Sequence, residues 1–294
     1  YGDTVRLQSL ADSGCLFAEG YKLNDVMWRP TQNLDKQSGN SEYSPTIAAQ
    51  FTIVCKHTYD KAKQLKKTLS KMGVESVHDI HAKQAEEDVD ASLVQAAYEL
   101  QGPVRREKRH NLAEVSRSVG GDVRYGSSIQ LRHTSTGKFV TLDTKRCGCE
   151  TGSLAVALDK DGSEHSWLTV TPAYRVRKNG DRVQVNDQVK LVFESRSEEE
   201  QIPVHLRATP GTDKRNEVAP GLDAFEVCGH DGYTRWRISQ FAGVMDAAES
   251  GRLLSGMSLR MTHKEEDAYL SCGQMSGERT EAYMVSKELV PSCG

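Results

Sequence analysis

The feature that most restricts what this chain can fold into is a short pattern that returns at fixed offsets. Tyr125-Gly126 leads into Ile129 and Leu131, and Ser255-Gly256 leads into Leu259 and Met261 at the same spacing. Phe139-Val140 and Tyr269-Leu270 then each fall thirteen residues after their glycine. Tyr1-Gly2-Asp3-Thr4-Val5-Arg6-Leu7 repeats the head of the pattern, with Leu16-Phe17 arriving slightly later, and Asn186-Asp187-Gln188-Val189-Lys190-Leu191 is a looser copy. A turn, a strand whose alternate residues share a face, a polar turn and a second apolar pair describe one β-hairpin. Such a hairpin cannot bury its apolar face alone. Several must close on one another, and closure also removes exposed strand edges. The expected fold class is therefore mainly β, a barrel of look-alike hairpins of the β-trefoil kind.

Short runs of period-two alternation elsewhere agree, as in Arg182-Val183-Gln184-Val185 and Val204-His205-Leu206. One segment, about 56 to 119, follows a different period. Ala62, Leu65, Leu69 and Met72 fall at helical spacing before Gly73, which reads as a C-terminal stop. Val89, Leu93, Ala96 and Leu100 do so before Gly102-Pro103, a pair expected to end that helix, and Leu112, Val115 and Val119 mark a third, weaker piece before Gly120-Gly121. This is a helical insertion between strands. Its outward faces are first lysine-rich (Lys56, Lys61, Lys63, Lys66, Lys67, Lys71) and then acidic (Glu86, Glu87, Asp88, Asp90), which fits either an arm reaching for another surface or a solvated helix pair. Thr31 to Pro45, rich in Gln, Asn, Ser and Gly, reads as a long mobile loop.

Composition excludes several classes. With 37% hydrophobic and 27% charged residues over 294, the balance is that of an ordinary globular chain, and no run of 18 apolar residues is present to span a bilayer as a helix. Lys plus Arg at 38 against Asp plus Glu at 41 leaves a net charge of -3, so no global field draws nucleic acid or anionic lipid; an anion site must be local. Seven scattered cysteines are an odd set, unlike a disulfide framework, and favour a reducing compartment. The chain opens at Tyr1 and stops at Gly294 as a piece of something longer would.

Chemistry-bearing motifs are sparse. There is no Gly-x-x-x-x-Gly-Lys-Ser/Thr, no His-Glu-x-x-His and no Gly-x-Ser-x-Gly, and no enzyme activity or cofactor is expected. Cys147-Gly148-Cys149 lacks the two-residue knuckle of structural zinc sites and reads as a pair of turn cysteines. His78 and His81 lie at a helix start among polar residues, where solvation or capping is the ordinary role. Asp159-Lys160-Asp161-Gly162 reads as a turn between strands rather than a calcium loop. Arg105-Arg106-Glu107-Lys108-Arg109-His110 is the densest basic cluster, suited to a phosphate or an acidic partner patch but also to a plain solvated face. Trp28, Trp167 and Trp236 are expected to anchor the core or its edge.

Taken in order, the motifs resemble the cytosolic N-terminal region of the inositol trisphosphate receptors and, more distantly, the ryanodine receptors. Phe51-Thr52-Ile53-Val54-Cys55, Tyr59 and Lys61-Ala62-Lys63-Gln64 look like that family's lead into its arm helices. Tyr125 to His133, Lys138-Phe139-Val140-Thr141, Leu158-Asp159 through Trp167, Gly180-Asp181-Arg182-Val183, Asp187 to Leu191 and Trp236-Arg237-Ile238 continue the likeness. It implies a first trefoil of the MIR type over 1–241, with the arm at about 56–119. The beginning of a second, truncated trefoil at 242–294 then opens on Gly256 to His263 and Tyr269-Leu270-Ser271-Cys272.

The resemblance further implies a homotetrameric calcium-release channel region on the cytosolic face of the endoplasmic reticulum. Its partners would be neighbouring subunits and the downstream ligand-binding and channel domains, with calcium or an inositol phosphate bound elsewhere in the chain and no nucleic acid. Where ligand-binding relatives carry an Arg-Thr-Thr-Gly-Arg phosphate-gripping turn, this chain has Val285, Ser286, Lys287, Glu288 and Leu289. One lysine beside a glutamate does not reproduce two guanidinium forks, so weak or no inositol trisphosphate binding is expected. The alternatives are a ryanodine receptor-like region, a stand-alone sugar- or actin-binding trefoil, or the related repeats of protein O-mannosyltransferases.

Overall fold

Three turns share one backbone signature. Gly126, Asn186 and Gly256 all have positive φ, at 85°, 71° and 85°. Glycine reaches that region without steric cost, and asparagine is among the residues that tolerate it best. At Gly126 the demand is double, because a Cβ would lie 3.1 Å from the Asn179 side chain. In a computed structural model the chain is described over residues 7–8, 15–16, 50–86, 89–134, 136–147, 152–194, 203–208, 217–219, 224–240, 251–263, 268–274 and 280–286. The early head at Tyr1 to Val5, the loop at 31–45, Trp28 and Cys149 lie outside these residues.

In chain order the first strands are β1 (Leu7–Gln8), β2 (Cys15–Leu16), β3 (Phe51–Cys55), β4 (Ser128–His133), β5 (Phe139–Arg146), β6 (Leu154–Asp159), β7 (Leu168–Pro172) and β8 (Gln188–Phe193). There follow β9 (Val204–Ala208), β10 (Glu217–Ala219), β11 (Ala224–His230), β12 (Trp236–Gln240), β13 (Ser258–His263), β14 (Ala268–Gln274) and β15 (Thr280–Ser286). β1 and β2 pair only with each other; the rest form one sheet that closes on itself. A nine-strand circuit runs β4-β5-β6-β15-β14-β13-β12-β8-β7 and back to β4, and a shorter six-strand circuit runs β3-β4-β7-β8-β12-β13.

What closes the barrel is a cycle of backbone hydrogen bonds among the heads. Val123 N–H donates to Leu253 O at 3.0 Å, Leu253 N–H to Val183 O at 2.9 Å, and Val183 N–H to Val123 O at 2.9 Å. Two residues on, Tyr125, Val185 and Ser255 donate to Asp181, Gly251 and Gly121, a ring that runs in the opposite sense. One residue further, Gly126, Asn186 and Gly256 donate to Val170, Ile238 and Ile53. The Asn186 head is thus no loose copy but the full equivalent of the other two. Each head hands its strand to the interior, where Ile129, Leu131, Val189, Leu191, Leu259 and Met261 join Phe51, Phe193, Leu206 and Trp236 in one buried core. Trp236 satisfies its indole N–H on the Leu206 carbonyl at 2.9 Å, which allows so large a polar-tipped ring to be fully buried.

A second trefoil opening at 242 is not shown. β13 pairs with β12 and with β3, and β15 pairs with β6 and β11, all within the same sheet.

Cys55–Val119 forms a separate helical unit. Its helices are α1 (Asp60–Lys71), α2 (Ile80–Glu86) and α3 (Ala91–Ser118). α1 stops as expected: Gly73 takes φ 67°, its N–H bonds Ser70 O, and Val74 N–H bonds Leu69 O. These are the two hydrogen bonds of a Schellman motif. The stop expected at Gly102-Pro103 is corrected, because α3 runs straight through it and fuses the two expected pieces. Proline removes one N–H, but the carbonyl it leaves without a helical donor belongs to Glu99, an exposed residue, where solvent access lowers the cost of the lost bond. Leu69, Met72, Ile80, Val94 and Ala97 make the unit's small core. Leu112 and Val119, read as part of an apolar stripe, are exposed.

Candidate functional site

Among the described residues, the most strongly perturbed titratable group belongs to the barrel. The first head places Tyr125 almost wholly inside, with its hydroxyl donating to Asp187 Oδ2 at 2.9 Å. The second head holds that carboxylate: Gln184 N–H donates to the same oxygen at 2.9 Å, and Arg177 Nη2 lies 3.4 Å from Oδ1. Burial, then the Asp187 hydrogen bond and charge, push the phenol's ionisation well above its ordinary range. The raised value keeps the phenol protonated, so that Tyr125 ties the two heads together as a hydrogen-bond donor. Among the described residues no group of three His, Cys, Asp or Glu side chains converges as a metal site would require.

Outside the barrel a second cluster faces solvent. Tyr174 and Tyr233 are each 50% exposed and Val176 is 87% exposed. Arg235 lies between the rings, its Cζ 5.5 Å from the Tyr174 centroid and 5.9 Å from that of Tyr233, while Lys190 Nζ sits 4.8 Å over Tyr233 from strand β8. Tyr174 is fixed by its hydroxyl on Gln188 Oε1 at 2.9 Å. Below them His205 packs against Tyr233 at 5.8 Å, and burial first, then Lys190, hold its imidazole below the ordinary value while Asp231 opposes the shift. Pre-ordered tyrosine and arginine side chains are what protein interfaces select, since little entropy is lost when they are covered. Sequence reasoning missed this patch, although Tyr233-Thr234-Arg235-Trp236-Arg237 carried its signal.

Comparison with known proteins decides the family. Residues 1–247 match the profile described as inositol 1,4,5-trisphosphate/ryanodine receptor. The chain belongs to that receptor family. Over 179 residues it is 26% identical to the inositol 1,4,5-trisphosphate receptor itr-1 of Caenorhabditis elegans, a match covering 56% of this chain and 6% of that relative. Structural likenesses are weak. An SDF2-like protein from Arabidopsis thaliana is similar at TM-score 0.41 and 17% identity, over 56% of this chain and 93% of that one. The S. cerevisiae protein O-mannosyltransferase Pmt1-Pmt2 complex bound to the sugar donor gives 0.44 and 14%, over 59% and 25%. Likeness at this level has no bearing on function.

With the receptor family established, the remaining sequence-predicted positions can be located. Val285 and Ser286 close β15, opposite Tyr269 and Ala268, so they are ladder residues; Lys287, Glu288 and Leu289 lie outside the described residues. Lys56, Lys61, Lys63, Lys66, Lys67 and Lys71 are all exposed on the helical unit. In the basic run Arg105 to His110 only Glu107 turns inward, capping α1 with Oε2 on Lys61 N–H at 2.8 Å and Oε1 on Ala62 N–H at 3.1 Å. His81 contacts the Tyr98 hydroxyl at 3.1 Å. Asp159 Oδ1 accepts from Asp161 and Gly162 N–H, making the turn the sequence suggested. Among the described residues no helix is long and apolar enough to cross a membrane.

Proposed function

We propose that this chain is a regulatory element of an intracellular calcium-release channel, cytosolic and at the endoplasmic reticulum membrane, which does no chemistry itself. The observation that carries the reading is the receptor-family match over residues 1–247. The threefold cycle of hydrogen bonds supports the finer reading of the barrel as a β-trefoil. A closed, tightly packed barrel displaces as one body, and a body of that kind passes movement to whatever its surface contacts. The Tyr174, Tyr233 and Arg235 patch suits such a contact with a neighbouring subunit of a homotetramer or with downstream domains of the same polypeptide. Inositol trisphosphate is bound weakly or not at all at Val285 to Leu289.

The test is calcium release from microsomes holding the full-length parent protein. Tyr233→Ser with Arg235→Ala is expected to shift the stimulus concentration for half-maximal release while unitary conductance stays unchanged. A parent protein that forms no calcium-permeable channel would overturn the proposal.

A further inference from the structure

Among the described residues, large apolar side chains stand exposed in two places: the Tyr174, Val176 and Tyr233 patch, and one side of α3, where Tyr98, Leu112 and Val119 are 39%, 62% and 59% exposed. Isolated apolar residues on a surface need no explanation, but these three are spaced as a set. Tyr98, Arg105, Leu112 and Val119 follow one another at intervals of seven, and Gly102, Arg109 and Ser116 each stand four residues after one of the first three. Alternating steps of four and three are the a and d positions of a heptad, the side of a helix that meets another helix. This seam is not the one α3 uses inside its own unit, where the buried positions include Ala97 and Asn111, one residue before Tyr98 and Leu112.

The stability of α3 does not account for the outer seam. Leucine and valine contribute little where nothing covers them, and two arginines four residues apart repel each other along a helix. Arg105 and Arg109 are both exposed, and neither has a carboxylate three or four residues away. Neither side chain makes an ion pair or a hydrogen bond among the described residues. By contrast Arg117, nearer the helix end, is paired with Glu114.

We propose that the outer seam of α3 is a docking face for an acidic partner helix, one that sets apolar side chains against Tyr98, Leu112 and Val119 and carboxylates against Arg105 and Arg109. Heptad spacing points to a helix rather than a membrane, because a lipid surface requires no register along a seam. Charge then defines the partner, since a guanidinium fork closes on a carboxylate through two parallel hydrogen bonds. Pairing the seam with a second copy of itself would set arginine near arginine, which disfavours self-association. From Arg105 to Val119 the face runs about 21 Å, roughly four helical turns. It lies wholly within the helical unit and does not depend on the channel reading.

The intact chain is titrated by fluorescence anisotropy at physiological salt with a labelled synthetic helix of about three heptads, leucine and glutamate at its a and d positions, and with a second helix in which lysine replaces those glutamates. Saturable binding of the glutamate helix is expected, weakened at least about tenfold in the Arg105→Gln, Arg109→Gln double variant and likewise in Leu112→Ser. The charge-reversed chain, Arg105→Glu with Arg109→Glu, is expected to prefer the lysine helix, a switch that a merely structural role would not produce. Circular dichroism melts establish that each variant is folded. Two further arms follow co-sedimentation with phosphatidylserine vesicles and sedimentation velocity of the chain alone. No saturable binding of the glutamate helix, binding undiminished in either weakened variant, or an unchanged preference in the charge-reversed chain would overturn the proposal. So would binding to vesicles in place of the peptide, or self-association that the double glutamine variant abolishes.

Discussion

The Tyr125 hydroxyl donates to Asp187 across the junction of two heads, at 2.9 Å. Asp187 in turn holds the Gln184 amide of its own head, so one carboxylate fixes both the turn and its neighbour. Tyr125→Phe keeps the ring and removes one buried hydrogen bond, which should cost about 1 to 2 kcal/mol in urea unfolding.

The same pair sets an alkaline limit. Unfolded chains release the tyrosine proton near pH 10.0, while the folded state holds it to higher pH. The Tyr125 contribution is complete below that value, and stability falls as pH rises through the raised folded value. Denaturation midpoints above pH 10 should therefore fall less steeply in Tyr125→Phe than in the parent chain.

His205 behaves in the opposite sense. Its folded value lies below the ordinary 6.5, so unfolded chains take up the proton first on acidification. Stability contributed by the neutral ring is present above 6.5 and is lost as pH falls through the lowered folded value. His205→Gln should flatten the midpoint between pH 7 and 5. Lys190→Met removes the second cause of the shift and should reduce the slope partway.

Asn186 is the one non-glycine residue with positive φ among those described. Asn186→Gly should leave stability nearly unchanged, whereas Asn186→Val should cost at least about 1 to 2 kcal/mol, because a β-branched side chain clashes in that region. Chemical denaturation of both variants provides the check.

In the helical unit, α1 has no side-chain cap of its own at Tyr59 and takes one from Glu107 on α3. Glu107→Ala should destabilise this unit by about 1 kcal/mol. Asn111→Ala should cost more. It removes a buried amide that accepts from Thr58 N–H at 3.0 Å and donates to Thr58 O at 2.9 Å. Far-UV circular dichroism during thermal unfolding measures both.

Much of this was legible in the residues. Glycine before an alternating run marks a left-handed turn, so Gly126 and Gly256 announced their heads, and Leu69, Met72 and Gly73 announced the end of α1. Asn186 was harder because asparagine at such a turn is only one of its ordinary uses. Pro103 misled, since its cost depends on whether the orphaned carbonyl meets water, and local sequence does not report that. The tie between Tyr125 and Asp187 was hidden for a related reason. Residues 125 and 187 are distant in sequence and become neighbours only once their heads are known to be equivalent.

The central claim is that the heads at Val123, Val183 and Leu253 close one barrel by donating to one another in a ring. Truncating the chain after residue 241 and following its unfolding in urea by Trp236 fluorescence tests this directly. Loss of the third head removes the strand that pairs with both β12 and β3, and the shortened chain should show no cooperative transition. A cooperative transition at the midpoint of the full chain would contradict the account.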